Sequence, residues 1–157
     1  MIVIYDKTHT EKEGGLSPLS CVVAEELNGA YELSMEHPYD ETGKWKRIAK
    51  EKIIYADTPK GKQPFRIYNT KPDMDSISVN ARHIFYDLLD NFCAAIDTTG
   101  TAQSVLDAVE NKLQYSTPFT FFTDITATGT MTEERKNPVE LLLDGSDDVT
   151  SFVNVFG

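Results

Sequence analysis

Long apolar runs are missing from this sequence of 157 residues. No stretch approaches the roughly 20 consecutive apolar residues that a membrane-spanning helix requires. The N-terminus, Met-Ile-Val-Ile-Tyr-Asp-Lys, also lacks the basic start and long apolar core of a secretory signal peptide. We therefore expect no membrane insertion by this segment, and we predict that the first residues form a strand.

Basic residues are scarce, because 15 Lys and Arg face 25 Asp and Glu, for a net charge of -10. Binding to duplex nucleic acid requires clustered Lys and Arg, so this balance argues against stable nucleic-acid binding. Nine of the 15 basic residues lie in the stretch 44–71. We interpret that stretch as a solvated edge and loop, with an electrostatic docking surface as the alternative.

Cysteine and histidine are also rare. Cys21 and Cys93 sit in apolar surroundings without a CxxC pair, which indicates two buried free thiols in a protein assembled in reducing cytoplasm. A single disulfide between them stays open from sequence alone. The three histidines, His9, His37 and His83, stand at no metal-ligand spacing. The sequence therefore predicts no metal site, no cofactor and no catalytic residues.

One acidic pair resembles a calcium loop at first sight. Asp73 and Asp75 flank Met74, but the glycine and the distal glutamate of such a loop are replaced by Ser78 and Ile84. The pair is therefore predicted to mark a turn.

The stretch 20–38 is predicted to be a β-hairpin closed by Asn28-Gly29, because a two-residue turn needs positive φ at its central residues. The predicted facing pairs are Glu26 with Tyr31, Ala24 with Leu33, and Val22 with Met35. This register puts Val22 and Ala24 on the core face and sets Glu25 opposite Glu32, a destabilising like-charge pair. A neighbouring subunit's Lys or Arg would relieve the repulsion, so both glutamates are candidate interface residues.

Short strands at regular spacing, separated by turn signals, continue to residue 82. This pattern predicts an antiparallel β-barrel-like domain over residues 1–82, possibly completed by residues beyond the chain. Trp45 lies in a polar connector between strands and is a further candidate interface residue.

After His83 the apolar spacing changes from a strand period to a helix period, which predicts a small α/β domain over 83–157 and an α+β fold class. The expected elements are a helix over 84–92, a break at 98–101, a helix capped by Thr101, an extended segment over 117–132, a helix begun by Asn137-Pro138, and a last helix from Asp147. The last helix carries Phe152 and Phe156 on an apolar stripe that needs a partner surface. We therefore add both to the candidate interface and expect the chain to be the N-terminal piece of a longer protein.

Several segments, in this order and spacing, resemble the N-terminal region of phage minor structural proteins, also called prophage tail endopeptidase or tail-associated lysin proteins. The segments that carry the resemblance are Glu-Glu-Leu-Asn-Gly-Ala-Tyr-Glu-Leu-Ser-Met-Glu-His-Pro (25–38), Ile-Ile-Tyr-Ala (53–56), Pro-Phe-Arg-Ile-Tyr (64–68), the stretch 77–89, and Asn-Pro-Val-Glu-Leu-Leu-Leu (137–143).

The resemblance implies a structural tail-tip hub module similar to the central baseplate hub of contractile-tailed phages. In its full-length form such a protein is a homotrimer that contacts the distal tail protein, the tail tube and the tape-measure protein. The module would then be assembled in the bacterial cytoplasm and lie at the virion tail tip, with 83–157 as an inserted domain. Any cell-wall hydrolase activity is expected in a C-terminal region absent from this chain, so this segment is not expected to be an enzyme.

Two alternatives stay open. A peptidoglycan endopeptidase segment would need a metal or nucleophile cluster, which the sequence does not display. A host-surface carbohydrate-binding module would need an aromatic platform, for which Tyr39, Trp45 and Tyr55 are the candidates.

Overall fold

The computed structural model describes residues 2–157 and confirms the α+β class. The chain divides into two compact units, Met1–Ile84 and Phe85–Gly157, hereafter unit 1 and unit 2. The change of apolar spacing at His83 lies within two residues of this division.

Unit 1 is built on a seven-stranded antiparallel sheet with the order β2-β1-β5-β6-β7-β4-β3. The strands are β1 (Ile2–Tyr5), β2 (Lys12–Leu16), β3 (Ser20–Glu25), β4 (Tyr31–Pro38), β5 (Ile53–Thr58), β6 (Gly61–Pro72) and β7 (Ser76–His83). The side chains that form its core are Ile4, Leu16, Leu33, Met35, Ile48, Ile54, Ala56, Phe65, Ile67, Ile77, Val79 and Ala81. The side chains of β7 alternate between the two faces of the sheet, and Ile77, Val79 and Ala81 are all buried.

The predicted barrel closure is wrong, because β2 and β3 are the two edges of an open sheet. A short 3-10 helix, Lys44–Arg47, packs against β2. Its Arg47 guanidinium lies over the backbone of Gly14, where an added Cβ would be 2.1 Å from a guanidinium nitrogen. Gly14 thus leaves room for the Arg47 side chain against one face of β2.

The predicted register of the β3–β4 hairpin is wrong by one residue. The Glu26 amide donates to the Ala30 carbonyl at 2.8 Å, so the loop contains three residues, with φ of 54° at Asn28. The observed pairs are Glu25 with Tyr31, Ala24 with Glu32, Val23 with Leu33, Val22 with Ser34 and Cys21 with Met35. A one-residue shift exchanges the two faces of a strand, so Cys21 and Val23 face the core while Val22 and Ala24 face outward.

Unit 2 packs three helices with a two-stranded antiparallel sheet. Its elements are β8 (Cys93–Thr101), α1 (Ala102–Lys112), β9 (Thr128–Lys136), α2 (Pro138–Leu143) and α3 (Phe152–Phe156). Two predicted helix starts are confirmed. The Thr101 hydroxyl accepts from the Ser104 amide at 3.3 Å, and Asn137 and Glu140 form a reciprocal capping box.

The helix predicted over 84–92 is present as a shorter 3-10 helix, Ile84–Asp90, with only Leu88 of its apolar stripe buried. Three other predictions for this region are wrong. The predicted break at 98–101 belongs to β8, because the Thr-rich backbone there pairs with β9. Only the end of the segment 117–132 is a strand, and α3 begins after a Ser151 cap rather than at Asp147.

Candidate functional site

The glutamates predicted at an interface do not face each other. Glu25 instead accepts from Lys60 Nζ at 2.5 Å, and this hydrogen bond, with the charge of Glu25, raises the pKa of Lys60. Glu32 is exposed on β4 and lies opposite Ala24 on one side and Arg82 on the other. The electrostatic reason for a partner's cation at this face is therefore removed, although contact there stays a prediction.

The locally basic stretch forms ion pairs within unit 1. The pairs are Lys7 with Glu51 at 2.7 Å, Lys52 with Glu13 at 2.5 Å, Lys60 with Glu25 at 2.5 Å, and Lys62 with Asp57 at 4.0 Å. Arg66 donates to the backbone carbonyls of Lys7 and Glu51. These contacts favour the solvated-edge interpretation over an electrostatic docking surface, because several of the cations already have partners.

The predicted aromatic interface residues are half-buried and pack within their own units. Trp45 packs edge-to-face on Tyr39, with ring centroids 4.8 Å apart, against the unit 1 core. Phe152 and Phe156 lie 4.9 Å apart and pack on the unit 2 core. Unit 2 therefore supplies the partner surface that the apolar stripe of α3 needs.

A tight contact explains how α3 is held. An added Cβ at Gly129 of β9 would lie 2.4 Å from Val155 Cγ1 and 3.0 Å from the Phe156 ring. The absent side chain of Gly129 thus allows α3 to approach the strand closely.

The carbohydrate platform suggested by Tyr39, Trp45 and Tyr55 is not a single surface. Tyr39 and Trp45 meet at an interplanar angle of 68°, whereas Tyr55 contacts Tyr5 and His9. Stacking of a sugar needs exposed, flat ring faces, so this arrangement does not favour a sugar site on these residues.

Three exposed apolar side chains that the sequence patterns did not indicate lie on β3 and just beyond its two ends. Leu19, Val22 and Leu27 are 66%, 63% and 94% exposed. Within residues 2–157, the outer edge of β3 has no strand neighbour. The wrong hairpin register hid Val22, because it placed that residue in the core.

A groove of about 450 Å³ lies on the inner side of β3. Its lining residues are Ile2, Cys21, Val23, Glu25, Tyr31, Ala56, Asp57, Thr58 and Pro59. The Tyr31 hydroxyl is buried and has no hydrogen-bond partner in the part of the chain that the structure describes. The groove and the exposed Val22 on its outer face make β3 the best candidate contact element of unit 1.

The contacts and burial of the histidine and cysteine side chains are those of residues with a structural role. His9 Nε2 lies 2.8 Å from the Tyr55 hydroxyl, His83 Nε2 lies 3.2 Å from Gln63 Oε1, and His37 is fully buried. Cys21 and Cys93 are free thiols, and burial raises the pKa of each.

In the described range, 2–157, no group of three or more His, Cys, Asp or Glu side chains is placed to hold a metal ion. Asp73 and Asp75 lie in a turn, where the Asp73 amide donates to the Ser76 carbonyl at 2.8 Å. None of the helices described has the length and apolar character to span a membrane.

A family model described as the prophage endopeptidase tail N-terminal domain matches residues 2–85. The match covers more than half of the chain and ends within one residue of the unit 1 boundary. The chain belongs to this prophage tail family. The resemblance inferred from the sequence motifs is therefore confirmed.

The prophage tail domain is also similar in structure to a solved relative, prophage tail protein gp18 from Listeria monocytogenes EGD-e. The TM-score is 0.55 at 16% sequence identity, and the match covers 88% of this chain but 42% of gp18. At that identity the likeness supports the fold alone, and the chain spans less than half the length of that protein. No curated protein matches the chain.

Proposed function

We propose that this prophage tail domain is a structural hub module at the tail tip, joining the tail tube to the parts that contact the host. Family membership over unit 1 is the observation that carries the proposal. The likeness to gp18, which spans most of this chain, supports a tail-protein fold for both units.

The position in the tail is testable by labelling. The turn Pro59-Lys60-Gly61 is exposed and none of its residues belongs to the core, so an epitope inserted between Pro59 and Lys60 is expected to leave the core intact. Gold-labelled antibody on purified tails should mark one end, the end distal to the capsid. Labels spread along the tube, or particles without label, would contradict the hub role. Tails in which the tube subunit carries the same epitope provide the control labelling pattern.

The proposed partners are the distal tail protein, the tail tube and the tape-measure protein, and the full-length protein is proposed to be a homotrimer. Co-expression of the full-length protein with each partner, followed by size-exclusion chromatography and light scattering, tests both points. A trimer that co-elutes with the distal tail protein is the expected result. A monomer that binds none of the three would exclude this assembly role.

A second candidate is peptidoglycan hydrolysis, because the family description contains the word endopeptidase. We propose that this segment is not itself the enzyme and that hydrolase activity belongs to a more C-terminal part of the full-length protein. Incubating the isolated chain with purified cell walls should release no new peptide ends. Release of such ends by this chain would establish a catalytic site in it.

A further inference from the structure

The connection between β2 and β3 is held by a fully buried histidine. His37 lies on β4, and its Nε2 accepts from the Ser17 amide at 3.2 Å. Its Nδ1 lies 2.8 Å from the Pro38 carbonyl, which can only accept. Both contacts are satisfied together in one form alone, the neutral imidazole with its proton on Nδ1.

A carboxylate oxygen of Asp40 lies beside the same ring. Asp40 Oδ2 is 3.8 Å from His37 Nε2, and it is buried without a hydrogen-bond partner among residues 2–157. The other oxygen, Oδ1, accepts from the Thr42 hydroxyl at 2.5 Å and the Lys44 amide at 3.2 Å. The Thr42 hydrogen bond is the main cause that lowers the pKa of Asp40, so the carboxylate stays charged when histidines titrate.

We propose that His37 is a pH-sensitive latch: a proton taken from solvent onto Nε2 replaces the Ser17 hydrogen bond with an ion pair to Asp40. The two donors, Nε2–H and the Ser17 amide, cannot then bond to each other, so Ser17 loses its acceptor. Histidine changes charge between about pH 5 and 8. Protonation of the ring therefore removes the acceptor of the Ser17 amide, while the Leu19 amide keeps its bond of 2.8 Å to the Glu36 carbonyl.

The charged groups around the ring fit this exchange. Asp40 is the anion that faces Nε2, and Lys44, which donates to the Ser17 hydroxyl at 3.3 Å, is a cation whose charge also helps to lower the pKa of Asp40. Glu36, next to His37 on β4, accepts from Ser76 at 2.8 Å and is exposed on the other face of the strand. On β7, the residue opposite His37 is Ile77, which carries no charge.

The test follows the Ser17 amide and the His37 ring in the ¹⁵N-labelled chain by NMR, between about pH 5 and 8. At the alkaline end we expect the Nδ1–H tautomer and a Ser17 amide protected from hydrogen exchange. As the pH falls, protection of Ser17, corrected for the intrinsic exchange rate, should drop at least about tenfold with the midpoint of the His37 titration. Protection that is constant over this range would overturn the proposal, as would an Nε2–H tautomer.

Two variants distinguish the proposed exchange at His37 from a general destabilisation of the protein at low pH. Asp40→Asn removes the charge that favours the protonated ring but keeps a side-chain carbonyl, so the midpoint for Ser17 should move to lower pH. His9→Gln, which alters another histidine of unit 1, should leave that midpoint unchanged. An unchanged midpoint in Asp40→Asn, or an equal shift in His9→Gln, would contradict the role given to Asp40.

Discussion

The two units build their cores from different kinds of contact. In unit 1, six strands and a connector contribute to a core on one seven-stranded sheet, and every strand depends on partners elsewhere in the sequence. In unit 2, α1 packs on a two-stranded sheet, and capped helices supply much of the local order. Unit 1 is thus one sheet that joins strands distant in the sequence, whereas unit 2 combines one strand pair with capped helices. Substitutions that remove one kind of contact at a time test this difference.

The largest effect is expected from Phe65→Ala in unit 1. Phe65 is fully buried on β6 and contacts Tyr31 and His83 edge-to-face or nearly so. Its truncation should lower the free energy of unfolding of unit 1 by about 3–5 kcal/mol. Urea titration followed by the fluorescence of Trp45, the single tryptophan, measures this. Tyr68→Ala on the exposed side of β6 is the control, and a loss equal to that of the control would contradict the prediction.

The corresponding substitution in unit 2 is Met131→Ala. Met131 is fully buried on β9 within the unit 2 core. We expect a loss of about 2–5 kcal/mol, because a cavity replaces a flexible side chain that fills irregular space. Hydrogen exchange of the β8 and β9 amides reports this unit directly. Glu134→Ala, at an exposed position of the same strand, should leave that exchange nearly unchanged.

A helix cap should matter less than a core side chain. Asn137→Ala removes the acceptor for the Glu140 amide, a bond of 3.0 Å, and should cost about 1 kcal/mol. Asn137→Asp retains an acceptor and is the matched control. Urea denaturation of the three proteins by circular dichroism should rank the alanine variant lowest. Equal urea midpoints for the alanine and aspartate variants would show that the capping box does not contribute to stability.

A loop carboxylate in unit 1 has a comparable capping role that depends on pH. Asp6 accepts from the Thr8 hydroxyl and from the Thr10 and Glu11 amides, and these bonds hold its pKa well below the ordinary value of 3.8. Because the folded pKa is depressed, the stabilisation is present above about pH 4 and is lost as the pH falls below it. Asp6→Asn should lower Tm near neutral pH, and the gap to the wild type should narrow in acid. A gap that does not change with pH would contradict this assignment.

The smallest effect is expected at the surface. Lys60→Met breaks the ion pair with Glu25, and both side chains are well exposed to solvent. The cost should stay below about 1 kcal/mol and vanish at high salt. Comparison with Lys71→Met, an exposed lysine of β6, isolates the pair. A loss that persists at high salt would indicate that Lys60 acts through packing rather than charge.

Local signals predicted some elements well. The start of α1 follows from Thr101 and its apolar spacing, and α2 follows from Asn137, Pro138 and Glu140, because each cap is complete within four residues of sequence. The strand β8 was missed for the opposite reason. Its buried residues Cys93 and Ile96 are three apart, so period-2 alternation is absent and only pairing with β9 defines it as a strand.

The strand partners and their register could not be predicted from local sequence patterns. Asn28-Gly29 marked the turn correctly, but loop length, which sets the register, was decided by the Glu26–Ala30 hydrogen bond. Nothing local indicates that β1 pairs with β5 or that Arg47 covers Gly14. The candidate surface on β3 depends on that register. The exposed Leu19, Val22 and Leu27 therefore became visible only in three dimensions.

The strand order of unit 1 also constrains how the chain acquires its structure during synthesis. β4 forms a hairpin with β3 at once, but its second neighbour, β7, lies about 40 residues later, as the pairing of His37 with Ile77 shows. At a synthesis rate of about 5–20 residues per second, β4 has no second partner strand for roughly 2–8 s. During that interval Leu33 and Met35 lack their final neighbours. We therefore expect the sheet of unit 1 to be completed only after β7 has been synthesised.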